Sequence, residues 1–395
     1  MTDTGYGTQM VEGPLTKSAI FLVLNVAATG ASGEGGSATP VESVRSVLAD
    51  LEDLVKTVGF RDPRTAVSCT VGIGDRVWGS LVGPAKPAEL HPFREFAGDR
   101  HTAIATPGDL LFHIRSDRED LCFELERLLL DALGAAVTVA DEVSGFRYFD
   151  TRDLLGFVDG TANPIGPDLP ESALVGDEDP SFSGGSYAVV QKYLHPLADW
   201  QRLTTSEQEA IMGRTKADNV ELDDAESGQK SHKTLATIED EAGEHDIVRD
   251  NMPFARPGSG EFGTYFIGYS RHLWVIERML ERMFIGDPPG LHDRLLDFST
   301  AMTGTTFFVP SAELLGSLDD EPADEPARGG DPAPGGDPGV SPTPEPVPAQ
   351  EPTADPGAAP ADASLGIGSL RNPPHSPISV GRQTADRSLA ERTGQ

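Results

Sequence analysis

The sequence predicts an α+β fold made of two consecutive βαββαβ halves, each an antiparallel sheet with helices on one face, followed by a disordered tail. Apolar β-rich runs and amphipathic helical stretches alternate in the same order twice between residues 17 and 315. Such an alternation implies helices layered on one side of an antiparallel sheet. After Leu318 the composition turns to Pro, Ala, Gly, Asp and Glu, with too few apolar side chains to offset the entropy of ordering the chain. A chain of 395 residues exceeds one ordinary domain. The boundaries that follow are a flexible N-terminus over 1–16, a first half over 17–150, a second over 151–315, a linker over 316–363 and a tail over 364–395.

In the first half, Ser18 to Val26 reads as a strand. Thr39-Pro40-Val41-Glu42 then supplies an N-cap, a first-turn proline and a capping-box glutamate. Val44, Val47, Leu48, Leu51, Leu54, Val55 and Val58 follow at helical spacing, which predicts one helix across them. Ala66 to Ile73 and Asp109 to Ile114 are strand-like, Ser116 to Glu119 caps a second helix through Leu130, and Ala135 to Ala140 closes the unit. The second half repeats the order with Tyr187 to Leu194, a helix near Ser206 to Gly213, Thr264 to Tyr269, the helix Leu273 to Phe284, and Thr305 to Val309. Arg214 to Pro257 reads as a long acidic loop, and a loop of that length inside a compact domain is usually functional or disordered.

A formal net charge of −32 argues against a nucleic-acid partner, which needs clustered Lys and Arg on phosphates, and against anionic membrane surfaces. Removing residues 319–362, with eleven acidic residues against Arg328, still leaves an acidic body. Met1 to Pro14 lacks a basic leader, and the apolar run Ala19 to Val26 is too short to span a bilayer. Cys69 and Cys122, each inside an apolar segment, read as free thiols of a reducing compartment. The expected location is the cytoplasm.

Three polar constellations stand out. Gly156-Phe157-Val158-Asp159-Gly160 alone marks a turn. It continues as Thr161-Ala162-Asn163-Pro164, and it is followed by His232 and by Arg249-Asp250-Asn251-Met252-Pro253-Phe254. Gly260-Glu261-Phe262-Gly263-Thr264-Tyr265-Phe266-Ile267-Gly268-Tyr269 and Leu295-Leu296-Asp297-Phe298-Ser299-Thr300 come after. In content and order these stretches resemble the dye-decolourising peroxidase family, closest to its compact bacterial (type B) branch, over roughly residues 17 to 313. The resemblance implies two ferredoxin-like halves in a dimeric α+β barrel-like arrangement, with one haem b per chain held mainly by the second half. It implies a haem peroxidase that reduces hydrogen peroxide and oxidises organic dyes, phenols or similar one-electron donors.

A haem peroxidase holds iron through one axial ligand, usually imidazole, and leaves the other face to peroxide. Sequence physics does not choose among nine histidines. His91, His101, His195 and His245 occupy polar or loop contexts and read as solvated, whereas His113 interrupts an apolar strand and reads as a core residue. The resemblance places the axial ligand at His232. It places the carboxylate that steadies His232 at Asp293, with Glu239 and Asp240 as rivals; a helix-start role for Asp293 is equally open. On the peroxide side it implies Asp159 as a contributory proton shuttle, Arg249 as the essential positive charge, also bordering the haem, and Asn251 as an orienting amide. Arg214 and Lys216 are candidate partners for the haem propionates, and Trp200, Trp274 and Tyr193 are eligible for electron entry. Ala162 departs from the family, where many relatives carry a glutamate.

Beyond the linker, Ser364-Leu365-Gly366-Ile367-Gly368-Ser369-Leu370-Arg371 is a short apolar motif on an acidic arm, suited to docking in a groove. It resembles the cargo-loading peptide that delivers such peroxidases into encapsulin nanocompartments, which implies an encapsulin shell as partner. The basic run with Arg382, Arg387 and Arg392 lies past it. Relatives also imply a homo-oligomer. Haem binding or handling without peroxidase turnover, as in a deferrochelatase, is the alternative reading; it needs His232 but not Asp159 and Arg249 together.

Overall fold

The computed structural model describes residues 7–28, 38–224, 228–241 and 243–319. Most of the expected linker, and the whole tail with Ser364 to Arg371, lie outside the described residues.

The first half contributes strands β1 (Ser18–Val26), β2 (Val67–Ile73), β3 (Leu110–Ser116) and β4 (Val137–Phe146). The second contributes β5 (Ser186–Leu194), β6 (Val248–Arg249), β7 (Met252–Arg256), β8 (Glu261–Ser270), β9 (Thr300–Ala301) and β10 (Thr305–Val309). All ten join one antiparallel sheet in the order β6-β8-β5-β10-β2-β3-β1-β4, with β7 on β8 and β9 on β5. Each half therefore has the strand order of a ferredoxin-like unit, its first strand flanked by its third and fourth.

The sheet curls on itself. Phe21 of β1 stacks on Tyr265 of β8 with ring centroids 4.3 Å apart, although four strands separate β1 from β8 along the sheet. Gly145 of β4 approaches β7 so closely that a Cβ there would stand 2.3 Å from Met252 Cβ. Side chains of β1 alternate between two cores, Ala19, Phe21 and Val23 in one and Ile20, Leu22, Leu24 and Val26 in the other. Both faces are covered, which is why β1 reads as a continuous apolar run rather than as an alternating one.

Helices cover the outer face. The expected single helix after Thr39 is two, α1 (Pro40–Ala49) and α2 (Leu51–Gly59), separated at Asp50. Aspartate is a poor interior helix residue, and at φ −86°, ψ 3° it ends one helix and starts the next. The Thr39/Glu42 capping box is present. Helix α3 (Asp75–Leu81) is followed by α4 (Glu119–Leu133), which has no side-chain cap at Arg118. Ser116, expected to cap it, belongs to β3 and donates to Ala66 O at 2.8 Å.

In the second half, α5 (Thr205–Met212) leads into the segment read as a long loop, α6 (His232–Ala236) lies within that segment, and α7 (Leu273–Phe284) follows β8. That segment contains β6 and β7, the second-strand position of its half. They are hard to read because one is two residues long and the other carries Pro253, a residue confined in sheets to edges and starts of strands.

The two halves meet where β10 touches β2 through a single pair, Phe308 and Ile73. Gln9 fills this seam: its Nε2 donates to Val71 O (3.0 Å) and Pro310 O (2.9 Å), and its Oε1 accepts from Val71 N (2.7 Å). The expectation of a flexible N-terminus to residue 16 is corrected from Gln9 onward, because this buried amide replaces missing ladder bonds. Across the barrel, Arg115 of β3 donates to Asp250 Oδ2 at 2.9 Å, and both are buried. Among the described residues no helix is long and apolar enough to cross a membrane.

Candidate functional site

The loop after β4 is shaped by two glycines in left-handed conformations, Gly156 at φ +96° and Gly160 at φ +75°. Both positions of the Gly-x-x-Asp-Gly pattern are thus backbone requirements. Arg152 locks the loop by donating to Gly156 O (2.8 Å) and Lys216 O (2.7 Å). Between the glycines Asp159 accepts Gly160 N at 2.7 Å, and Asn251 Nδ2 reaches the same oxygen at 3.4 Å. Asn251 is itself fixed by accepting Ile267 N at 3.2 Å.

Arg249 is held through its backbone. Asn163 Oδ1 accepts Arg249 N (3.0 Å), and Asn163 Nδ2 donates to Arg249 O (2.6 Å), so one side-chain amide imitates a paired strand. Burial lowers the pKa of the Arg249 guanidinium, while the charges of Asp159 and Asp246 oppose that shift.

His232 is the first residue of α6. Its Nδ1 lies 2.6 Å from Asp293 Oδ2, and Asp293 is fully buried. The other oxygen, Oδ1, accepts Leu295 N at 2.9 Å and caps the 3-10 turn Arg294–Phe298. Asp293 therefore serves both as helix-start residue and as partner of His232. A carboxylate on Nδ1 fixes the tautomer and leaves the Nε2 lone pair free to bind a metal.

His232, Asp159, Arg249 and Asn251 all line one cavity of about 950 Å³. Leu155, Met212, Phe266, Met279, Met283 and Leu296 supply much of its apolar wall, and Arg214 borders it. A large slot with an apolar wall on one part, polar groups on the rest, one oriented imidazole and a flanking cation fits a flat apolar macrocycle with anionic edges. Two further titratable groups face it. Asp153, accepting Phe157 N at 2.8 Å, is pushed up to about 7 by burial. His195, bonded to Thr264 Oγ1 and Ser299 Oγ at 2.9 Å each, is pulled down to about 4 by burial.

Two family descriptions match the chain, "Dyp-type peroxidase, N-terminal" over residues 8–147 and "Dyp-type peroxidase, C-terminal" over 150–314. The chain belongs to the Dyp-type peroxidase family. It is a haem-dependent oxidoreductase that uses peroxide. A dye-decolorizing peroxidase of Brevibacterium linens is 50% identical over 373 residues, 93% of this chain and 97% of that one, so the match runs beyond residue 320. An arginine-to-leucine variant of Rhodococcus jostii RHA1 DypB in complex with haem is 52% identical, with a TM-score of 0.75 over 80% of this chain and 99% of that one. The encapsulated DyP-type peroxidase from Mycobacterium smegmatis is 51% identical, with a TM-score of 0.74 over the same shares.

In this Dyp-type peroxidase the five expected site residues, four on the cavity wall and Asp293 behind His232, come together from four separate stretches of chain. Glu239 and Asp240 also border the cavity, but the described contact to His232 belongs to Asp293. Lys216 does not border it: its Nζ donates to Gln208 Oε1 at 2.7 Å and stands over the Phe157 ring. His195 is buried rather than solvated, because Thr264 and Ser299 satisfy both ring nitrogens. His113, expected in the core, is fully buried and bonds Tyr269 Oη at 2.8 Å. Asn163 and Asp153 were given no role by the sequence. Asn163 stood inside the quoted motif, but nothing in it announced a bond 86 positions away.

Proposed function

We propose that this peroxidase binds one haem b through His232 Nε2, that Asp293 orients and strengthens that ligand, and that Arg249, Asp159 and Asn251 act on hydrogen peroxide. The observation carrying the proposal is that the His232–Asp293 pair faces the same cavity as those three polar side chains. When bound, haem supplies the redox chemistry, taking two oxidising equivalents from peroxide and passing them on singly. Asp159 removes a proton from one peroxide oxygen and returns it to the other, typically worth 10² to 10⁴ in rate. Arg249 stabilises the negative charge growing on the departing oxygen in a site with little water. Asn251, anchored on Ile267 N, holds Asp159 and peroxide in register. The donors are organic dyes, phenols or similar one-electron reductants. Ser364 to Arg371 loads the enzyme into an encapsulin shell in the cytoplasm, a reading supported by the encapsulated relative.

The deciding measurement is the visible spectrum of the haem-loaded protein before and after one equivalent of hydrogen peroxide. Wild type should show a haem band that changes on peroxide addition and recovers with a dye donor. His232→Ala should fail to retain haem. A haem band indifferent to peroxide would replace the peroxidase roles of Asp159 and Arg249 with haem handling. For packaging, deletion of 364–395 should leave activity intact and abolish co-purification with a co-expressed shell.

A further inference from the structure

Among the described residues, His101, His292 and Asp297 form a grouping in which one donor atom from each lies within 4.8 Å of the others. None of the three lines the haem cavity. We propose that they bind a divalent late first-row metal ion, Zn²⁺ being the best match.

The fold brings the ligands from both halves to one place. His101 sits in the turn of a hairpin joining Phe96–Ala97 to Thr102–Ala103. Gly98 in that turn lies so close to the end of α7 that a Cβ would come 1.9 Å from Phe284 O, which seats the turn on the helix. His292 stands just before the turn Arg294–Phe298, and Asp297 lies inside it.

His101 Nε2 and His292 Nε2 both point at one oxygen, Asp297 Oδ1, at 3.0 and 3.2 Å. Ligand atoms around a tetrahedral Zn²⁺ at about 2.0–2.2 Å stand roughly 3.4 Å apart. The two His–Asp spacings are already close to that value. Both rings share this one carboxylate oxygen, and a divalent ion replacing the two Nε2 protons uses the same three atoms. Arg100, 3.8 Å from Asp297 and 68% exposed, is free to swing aside. The three side chains are 24%, 12% and 23% exposed, so an ion has a path in and water can complete its shell. Two imidazoles and one carboxylate select Zn²⁺ or its neighbours over Mg²⁺ and Ca²⁺, which take oxygen ligands. His292 and Asp297 also bracket Asp293, so an ion here would brace the segment that orients His232.

The test titrates Zn²⁺ into the haem-loaded full-length protein by calorimetry, after removal of loose metal, with bound zinc counted by elemental analysis. His101→Ala and Asp297→Asn are measured beside it, and the haem band reports that each keeps its fold. If one variant loses that band, the other carries the comparison. Wild type should bind one Zn²⁺ per chain at this site. Either variant should weaken that site by more than about a hundredfold, beyond the ten- to hundredfold of an outer-shell change. Zinc taken by the acidic segment past residue 320 is common to all three chains and cancels. Equal binding by the three, or none by wild type, would overturn the proposal.

Discussion

The two halves share one strand order but not one duty. In the first, α1, α2 and α4 cover their strands with buried side chains such as Val44, Leu48, Val58, Leu121, Leu125 and Leu129. In the second, α7 covers part of the sheet, while the long stretch between α5 and β6 supplies Glu221, His232 and Ile238 to the wall of the cavity. The same unit thus yields a packed layer in the first half and a cavity wall in the second, where the connection from first to second strand is the longer of the two. The expected consequence is that changes in the first half act on stability and changes in the second act on chemistry.

The largest expected effect tests the point where that division fails. Arg115 belongs to the first half, yet its buried partner Asp250 adjoins Arg249. Burial raises the Asp250 pKa, and Arg115 holds it back. Arg115→Ala should therefore cost about 3–5 kcal/mol, the usual result of stranding one member of a buried pair, and lower Tm by roughly 10 °C. It should also reduce peroxidase turnover. Arg115→Met with Asp250→Leu should recover most of the stability, since apolar replacements of buried pairs are often neutral. Undiminished turnover in Arg115→Ala would restore the simple division between halves.

Next in size is Arg249→Leu, which should lower kcat/KM for peroxide by about 10² to 10³ while haem content and Tm stay near wild type. A Tm collapse with lost haem would make Arg249 a structural residue of the second half. Asn163→Ala comes third. It removes both hydrogen bonds to the Arg249 backbone, and we expect turnover to fall about tenfold with about 1–3 kcal/mol of stability. Steady-state kinetics and a denaturant titration on one preparation separate the two effects.

What could be read in the sequence follows the range of the interactions involved. The strand β1, the Thr39/Glu42 capping box and the α7 stripe are local patterns, and they were plain. The Asp159, His232 and Arg249 segments were readable through family resemblance rather than through spacing. The Asn163 clamp and the His101–Asp297 contact span 86 and 196 positions, and no local pattern encodes them. Gln9 was missed because a polar, Gly-rich terminus gives no sign that its amide completes a sheet seam.

The smallest expected effect concerns two cavity-lining groups that titrate in opposite senses. His195 has its pKa pulled from 6.5 to about 4 by burial. Between those values the unfolded chain carries a proton that the folded chain lacks, so this contribution is full above pH 6.5 and is lost as pH falls toward 4. Asp153 has its pKa pushed from 3.8 to about 7, so the folded chain carries the extra proton and its contribution is lost as pH rises through that window. The two slopes oppose each other over most of the acid range, and each hides the other in wild type. His195→Gln, which can still bond Thr264 and Ser299, should leave stability falling more steeply with rising pH between about 4 and 6.5. Asp153→Asn should do the reverse. Denaturant midpoints collected across that range should diverge in opposite directions from wild type. Parallel curves for all three proteins would mean that neither group is as dry as its position in the cavity wall implies.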